Sequence, residues 1–172
     1  MKKNRTLKIL AVLIPVIFIG AMIYLFNRVQ DKKERVDNLQ QLPSFTVTSI
    51  EGATISAKDF SKGKKVLVYF SPECHICQTE AEELSNIYSK HPNVQWIFIG
   101  SDPIPEIKAF AERYQLYAKE NIIWARDTDA KVYQVFGMSG VPYFLAYDEN
   151  NKLAFRNSGA IKLENILKHF NE

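Results

Sequence analysis

The sequence predicts an α/β protein: a sandwich of helices on a mixed central sheet, behind an N-terminal transmembrane helix. Three observations lead there. From residue 64 onward, short runs rich in Val, Ile, Phe and Tyr alternate with segments of helical period, the pattern of strands joined by crossover helices. Two segments with turn residues at their middle, 44–60 and 141–159, read as hairpins that add antiparallel strands. Ahead of both lies an 18-residue run without a charge, Ile9 to Phe26.

That run is the first element. With Leu7 and Lys8, whose stem can snorkel, the span 7–26 reaches about 20 residues, enough to cross ~30 Å of hydrocarbon. Pro15 is tolerable in a membrane helix. A cleavable signal peptide has a shorter apolar region ending in a small-residue cleavage site, and no convincing site follows here. Residues 1–26 are therefore expected to be an uncleaved signal anchor. Lys2, Lys3, Arg5 and Lys8 place its N-terminus in the cytoplasm. The chain is then a single-pass protein of the cytoplasmic membrane with its C-terminal domain extracytoplasmic, on the periplasmic side. Residues 27–42, polar and charged, are expected to be a juxtamembrane linker, and 43–172 the folded domain.

Charge separates the same parts. The 172-residue chain has a net charge of +3, yet residues 1–35 carry eight basic and two acidic side chains, and the remainder 14 basic and 17 acidic. A mildly acidic folded part argues against a nucleic-acid partner, which calls for Lys and Arg on the folded surface. A composition of 47% hydrophobic and 12% aromatic residues supports a full core without a disulfide staple.

Within the folded part, residues 44–60 alternate and break at Glu51-Gly52, as a hairpin does. Residues 64–71, KKVLVYFS, form a nearly continuous apolar run, the signature of a buried central strand. From Cys74 to about Lys90, Ile76, Cys77, Ala81, Leu84, Ile87 and Tyr88 share one helical face. Residues 93–100 read as a second buried strand and 104–118 as a helix with Pro105 in its first turn. A short strand (121–126) and a helix closed by Gly137 (127–137) follow. Strand, Asp-Glu-Asn-Asn turn and strand fill 141–159, and 161–170 is a last amphipathic helix.

Cys74 and Cys77, the only two cysteines, open the first of those helices directly after the central strand. Haem attachment requires His after the second Cys, and residue 78 is Gln. Zinc requires about four ligands, but His91 and His169 fall in other elements and there is no second C-x-x-C, so no metal is expected. A purely structural bridge over so short a loop would remove little chain entropy. Redox chemistry fits best. Cys74 stands at a helix N-terminus, where free N–H groups and the dipole favour a thiolate, and is the expected nucleophile; Cys77, one turn in, is the expected resolving cysteine. Glu73 would raise the nucleophile's pKa and a protonated His75 would lower it, unless both simply line an exposed loop. Glu80, Glu82 and Glu83 read as solvated acids of the helix's first turns.

The strand–FSPECHIC–helix stretch, followed by GMSGVPYFLAYDENNKL (137–153), resembles the thioredoxin fold. In pattern it is similar to the membrane-tethered TlpA/ResA-like thiol–disulfide oxidoreductases, over about residues 42–172. The resemblance implies a thioredoxin-like sandwich and a redox-active Cys74–Cys77 disulfide with no other cofactor. It implies a cis Val141–Pro142 bond that sets the Val141 backbone beside the cysteines as a substrate-binding edge. It also implies reduction of protein disulfides, as TlpA/ResA-like proteins do when serving cytochrome c maturation. The partners would be protein disulfide or dithiol substrates and a membrane or extracytoplasmic electron-donor protein.

Two features depart from that pattern. Pro72-Glu73 precede the motif where the family carries Trp, and Val68 stands where thioredoxins proper carry a buried Asp, so the proton acceptor for Cys77 is unassigned. Two alternatives share the fold. A peroxiredoxin-type peroxidase would explain Ser71-Pro72-Glu73-Cys74, the tail of P-x-x-x-[ST]-x-x-C, but the required Pro falls on Leu67. A non-catalytic thioredoxin-fold binding module is the other.

Overall fold

A computed structural model describes residues 3–37 and 39–170. The chain divides into two compact units, Met1–Asp37 and Asn38–Glu172. The first holds one helix, α1 (Lys3–Asp37), with Pro15 inside it. Its stretch Leu13–Gln30 is long and apolar enough to cross a membrane, and the large side chains along it, Ile17, Phe18 and Met22 among them, are exposed. Over residues 27–37 of the expected linker the chain is helical, and the helix runs on to Asp37. The second unit then starts before Pro43: Leu39 is 1% exposed, and Gln41 bridges to Lys152. Leu39, flanked by Asn38, Gln40 and Gln41, shows no periodicity in sequence, yet it joins the core that holds Phe45 and Tyr147.

The second unit is built on one seven-stranded sheet. Its strands are β1 (Thr46–Ser49), β2 (Thr54–Ser56), β3 (Lys64–Tyr69), β4 (Val94–Gly100), β5 (Ile122–Arg126), β6 (Tyr143–Tyr147) and β7 (Leu153–Ser158), in the order β2-β1-β5-β4-β3-β6-β7. The three central strands β5, β4 and β3 are parallel, and every other pairing is antiparallel. This is the mixed sheet expected from helices between the middle strands and hairpins at both ends.

The central runs are continuously apolar because both faces are covered. Val66 and Val68 of β3, and Phe70 just after it, enter one core with helices α2 (His75–Ile87), α3 (Ile104–Arg113) and α5 (Leu163–Lys168), which supply Leu84, Phe110 and Ile166. Leu67 and Tyr69 point the other way, into a core closed by Phe45, Leu39 and helix α4 (Lys131–Val135) through Val132. That alternation is the period of two that any strand imposes.

Three helices are shorter than their sequence periods. The chain leaves α3 at Arg113 and turns through Gln115 (φ 57) and Ala118 (φ 54), which lets Leu116 drop into the core with no exposure. Helix α5 keeps only Leu163–Lys168 of the expected 161–170. Helix α4 covers Lys131–Val135 rather than 127–137. Its C-terminal stop is as read, with Gly137 at φ 57 and the Met138 N–H returning to the Tyr133 carbonyl.

Its start is set by a buried acid. The Asp127 carboxylate accepts from the N–H groups of Lys131 (2.9 Å), Val132 (2.9 Å) and Tyr133 (3.2 Å) and from the Tyr69 hydroxyl (3.1 Å). These are the orphan donors of the first turn, collected by one side chain. Burial, and then the Asp127 charge, holds the Tyr69 hydroxyl protonated far beyond the ordinary tyrosine range. Asp127→Ala is expected to destabilise the folded unit by about 2–3 kcal/mol, measured as a shift in urea unfolding, because buried donors lose their acceptor at once.

Candidate active site

The carboxyl ends of β3 and β4 form the floor of the site. They close tightly there: the Phe70 N–H donates to the Ile99 carbonyl at 3.0 Å, and a Cβ on Gly100 would stand 3.0 Å from the Phe70 carbonyl oxygen. A side chain at position 100 would have to displace the Phe70 backbone by a few tenths of an ångström. Phe70 itself anchors the chain as it leaves the sheet, with its ring centroid 5.0 Å from Phe110 and 5.5 Å from both Phe98 and Trp124. The loop that follows is tied at two points. Ser71 Oγ donates to Asp102 Oδ1 at 3.3 Å, and Gln78 Nε2 donates to the Pro72 carbonyl at 2.8 Å.

Cys74 is the N-cap of α2, in extended conformation (φ −76, ψ 113), with its Sγ accepting the Cys77 N–H at 3.3 Å. The sulfur therefore occupies the place that a Ser or Asp oxygen takes in an ordinary cap. Its thiol faces the Val141 carbonyl oxygen at 3.8 Å. The Val141–Pro142 peptide bond is cis, and Val141 packs against the cores on both faces of the sheet. Among the described residues no group accepts the Val141 N–H. Both cysteines are free thiols; Cys74 is half-buried and Cys77 is 2% exposed. Burial first, and the adjacent Cys74 thiol second, raise the Cys77 pKa well above that of an ordinary thiol.

The structure thus brings together Cys74, Cys77 and Val141, with Pro142 next in chain. Glu73 and His75 do not join them. Both are exposed, and neither side chain is hydrogen-bonded to a cysteine among the described residues. Ile76 also departs from its expected place on the buried face, at 40% exposed. Helix α2 begins at His75, so Cys77 takes the inward direction and its predecessor, about 100° around the helix, points to solvent.

Glu80 is the residue that sequence reasoning misplaced. It is 6% exposed rather than solvated, and its Oε1 accepts the Ile161 N–H at 2.8 Å. Glu83 similarly accepts the Leu163 N–H at 3.0 Å at the start of α5, while Glu82 is exposed as expected. The second Glu80 oxygen, Oε2, is buried without a partner. Desolvation raises the Glu80 pKa above its ordinary 4.5, opposed by the Ile161 hydrogen bond and reinforced by Glu83. The signal was present in the chain: positions 77, 80, 81 and 84 lie on one face of α2, the side that is buried.

The fold and this cysteine cap define a class: a thioredoxin-fold thiol–disulfide oxidoreductase. The chain belongs to the AhpC/TSA family, which it matches over residues 39–161. It is 30% identical over 158 residues to the thiol-disulfide oxidoreductase ResA of Bacillus thuringiensis subsp. konkukian, covering 89% of this chain and 87% of that one. The ResA of Bacillus anthracis matches to the same 30% and the same coverage. Among solved structures, a secreted Mycobacterium tuberculosis disulfide oxidoreductase homologous to E. coli DsbE superposes with a TM-score of 0.63 at 22% identity, covering 78% of this chain and 97% of that one. The thioredoxin domain of a thiol-disulfide oxidoreductase from Bacteroides vulgatus superposes with a TM-score of 0.65 at 20% identity, over 78% and 97% of the two chains.

The peroxidase alternative calls for a proline at position 67, and the structure places Leu67 in the middle of a strand. It sits 1% exposed in mid-β3, paired with Ile97 on one side and Leu145 on the other. A proline there would break a ladder at the centre of the sheet.

Proposed function

We propose that this thiol–disulfide oxidoreductase reduces protein disulfides outside the cytoplasmic membrane, with Cys74 as nucleophile and Cys77 as resolving thiol. The observation that carries the proposal is the placement of Cys74. Cys74 is half-exposed at the N-terminus of α2, its sulfur facing the Val141 carbonyl at 3.8 Å, with the second thiol buried one turn behind it. In the first step the Cys74 thiolate attacks one sulfur of the substrate disulfide. A Cys74–substrate bond forms, the substrate's own S–S bond breaks, and the departing thiolate takes a proton. An extended substrate segment pairs meanwhile with the Val141 backbone, and Pro142 closes that edge.

In the second step Cys77 loses its proton and attacks Cys74 Sγ, releasing the second substrate thiol and leaving the Cys74–Cys77 disulfide. Glu80 supplies the missing acceptor: it lies one turn beyond Cys77 on the same buried face, with an oxygen that has no other partner. Two electrons have then passed to the substrate, and no cofactor beyond the cysteine pair takes part. A dithiol electron-donor protein in or outside the membrane restores the pair. Helix α1 holds the domain at the membrane through residues 7–26, with Lys2, Lys3, Arg5 and Lys8 on the cytoplasmic side.

The direction of electron flow is tested by equilibrating the cysteine pair with glutathione redox buffers. A reductase is expected to show a potential near that of thioredoxin, about −270 mV. A value near about −120 mV, that of a strong oxidant, would overturn this direction while leaving the exchange chemistry intact.

A further inference from the structure

Among the described residues of the second unit, two large apolar side chains are exposed, and one of them, Ile76, stands between the two cysteines. The other, Val135, ends α4. Every other large aliphatic side chain of α2 is wholly or partly covered, including Leu84 with no exposure. Ile76 keeps 40% of its surface open two residues from Cys74, and it belongs to neither core.

The reaction itself specifies what covers it. In a mixed disulfide the two Cα atoms stand about 4.4–6.8 Å apart, and the next residue of the substrate follows about 3.8 Å further on. Ile76 is two residues from Cys74 in the first turn of α2, a separation of about 5.5 Å between Cα atoms. A residue flanking the substrate's cysteine is thereby within reach of the exposed part of the Ile76 side chain when Cys74 is engaged. If that residue is apolar, both surfaces leave water in the bound state.

We infer that Ile76 is a specificity-determining residue, selecting disulfides whose attacked cysteine is flanked by aliphatic or aromatic side chains. This rests on the reading of Cys74 as nucleophile. It differs from a role in tuning the cysteine pair, because the contact exists only with a substrate that has a side chain next to its sulfur.

The test uses the full chain in detergent micelles, reduced beforehand, in single-turnover reactions with three disulfides. Two are peptides with one internal disulfide that differ only around one cysteine, Val-Cys-Leu against Ser-Cys-Ser. The third is hydroxyethyl disulfide, which has no flanking residue. Wild type is expected to reduce the apolar peptide roughly three- to tenfold faster than the polar one. Ile76→Ser should remove that preference by slowing the apolar peptide alone, and Ile76→Val should keep most of it. Equal wild-type rates for the two peptides would overturn the inference. So would an Ile76→Ser variant in which all three rates fall together, since that places the effect on the cysteine pair. Failure of the wild type to reduce any of the three would instead overturn the exchange reading on which this one stands.

Discussion

Cys77→Ser is expected to hold its substrate on Cys74 as a mixed disulfide and to lose turnover by at least about a thousandfold. The reason is the division of labour between the two sulfurs. Cys74 caps α2 and reaches solvent, whereas Cys77 is 2% exposed and contributes its N–H to the Cys74 sulfur. Serine preserves that backbone donor, so the nucleophile keeps its cap and still attacks. What is lost is the second attack, since a hydroxyl cannot displace the substrate thiol. The partner stays attached, and mass spectrometry of the non-reduced complex identifies it. The reciprocal variant, Cys74→Ser, should trap nothing, because the remaining thiol is buried and held protonated by its surroundings. If both variants exchange disulfides as the wild type does, the pair is inert and the domain is a binding module that retains the fold. Trapping on Cys77 instead of Cys74 would reverse the two roles.

The parts of this molecule that were legible in the sequence are those where burial leaves a periodic trace. Residues 64–71 and 93–100 read as central strands because helices or loops cover both of their faces, so their middles, Val66–Phe70 and Trp96–Ile99, are apolar throughout. Of the polar residues at the strand starts only Lys65 is buried: it is 1% exposed within β3, and its ammonium reaches Asn151 Oδ1 in the β6–β7 turn. The cysteine pair was legible for a different reason, its position between such a strand and a helix.

What escaped were single residues whose role depends on contacts far along the chain. Leu39 enters a core that is defined by residues up to 108 positions away, at Tyr147. Asp127 gathers donors from two elements, and the helix expected over 127–137 begins four residues after it, at Lys131. Glu80 sat on the apolar stripe of α2, but counting apolar positions passes over an acid even when the face it occupies is buried.

Glu80 matters for the proton. Cys77 cannot attack Cys74 until it is deprotonated, and its surroundings oppose that, with burial the larger cause. Val68, where a thioredoxin's acid would be, cannot help. Glu80 can: its Oε1 is fixed by the Ile161 N–H at 2.8 Å, which leaves Oε2 as the one free acceptor of that side chain. Glu80→Gln keeps an oxygen for Ile161 and removes the base, so the fold should persist while resolution of the mixed disulfide slows by about a hundredfold. In single-turnover measurements the wild-type resolution rate should rise with pH as Glu80 ionises, above the ordinary 4.5; in the variant that rise should move to higher pH, where Cys77 ionises unaided.

Stability gives an independent reading with a definite sign. A carboxyl whose pKa is raised by folding binds its proton more tightly in the folded state, so its contribution is greatest below its unfolded pKa. It then declines as pH rises from 4.5 through the folded pKa. Urea midpoints of the wild type should fall across that window, and those of Glu80→Gln should fall less, leaving the variant the more stable of the two near neutrality. A variant that resolves at the wild-type rate with the wild-type pH profile would show that the proton goes elsewhere. A variant that is slower but more stable at neutral pH is the expected result, because a buried carboxylate kept for chemistry is costly to a fold that could hold a neutral amide in the same place.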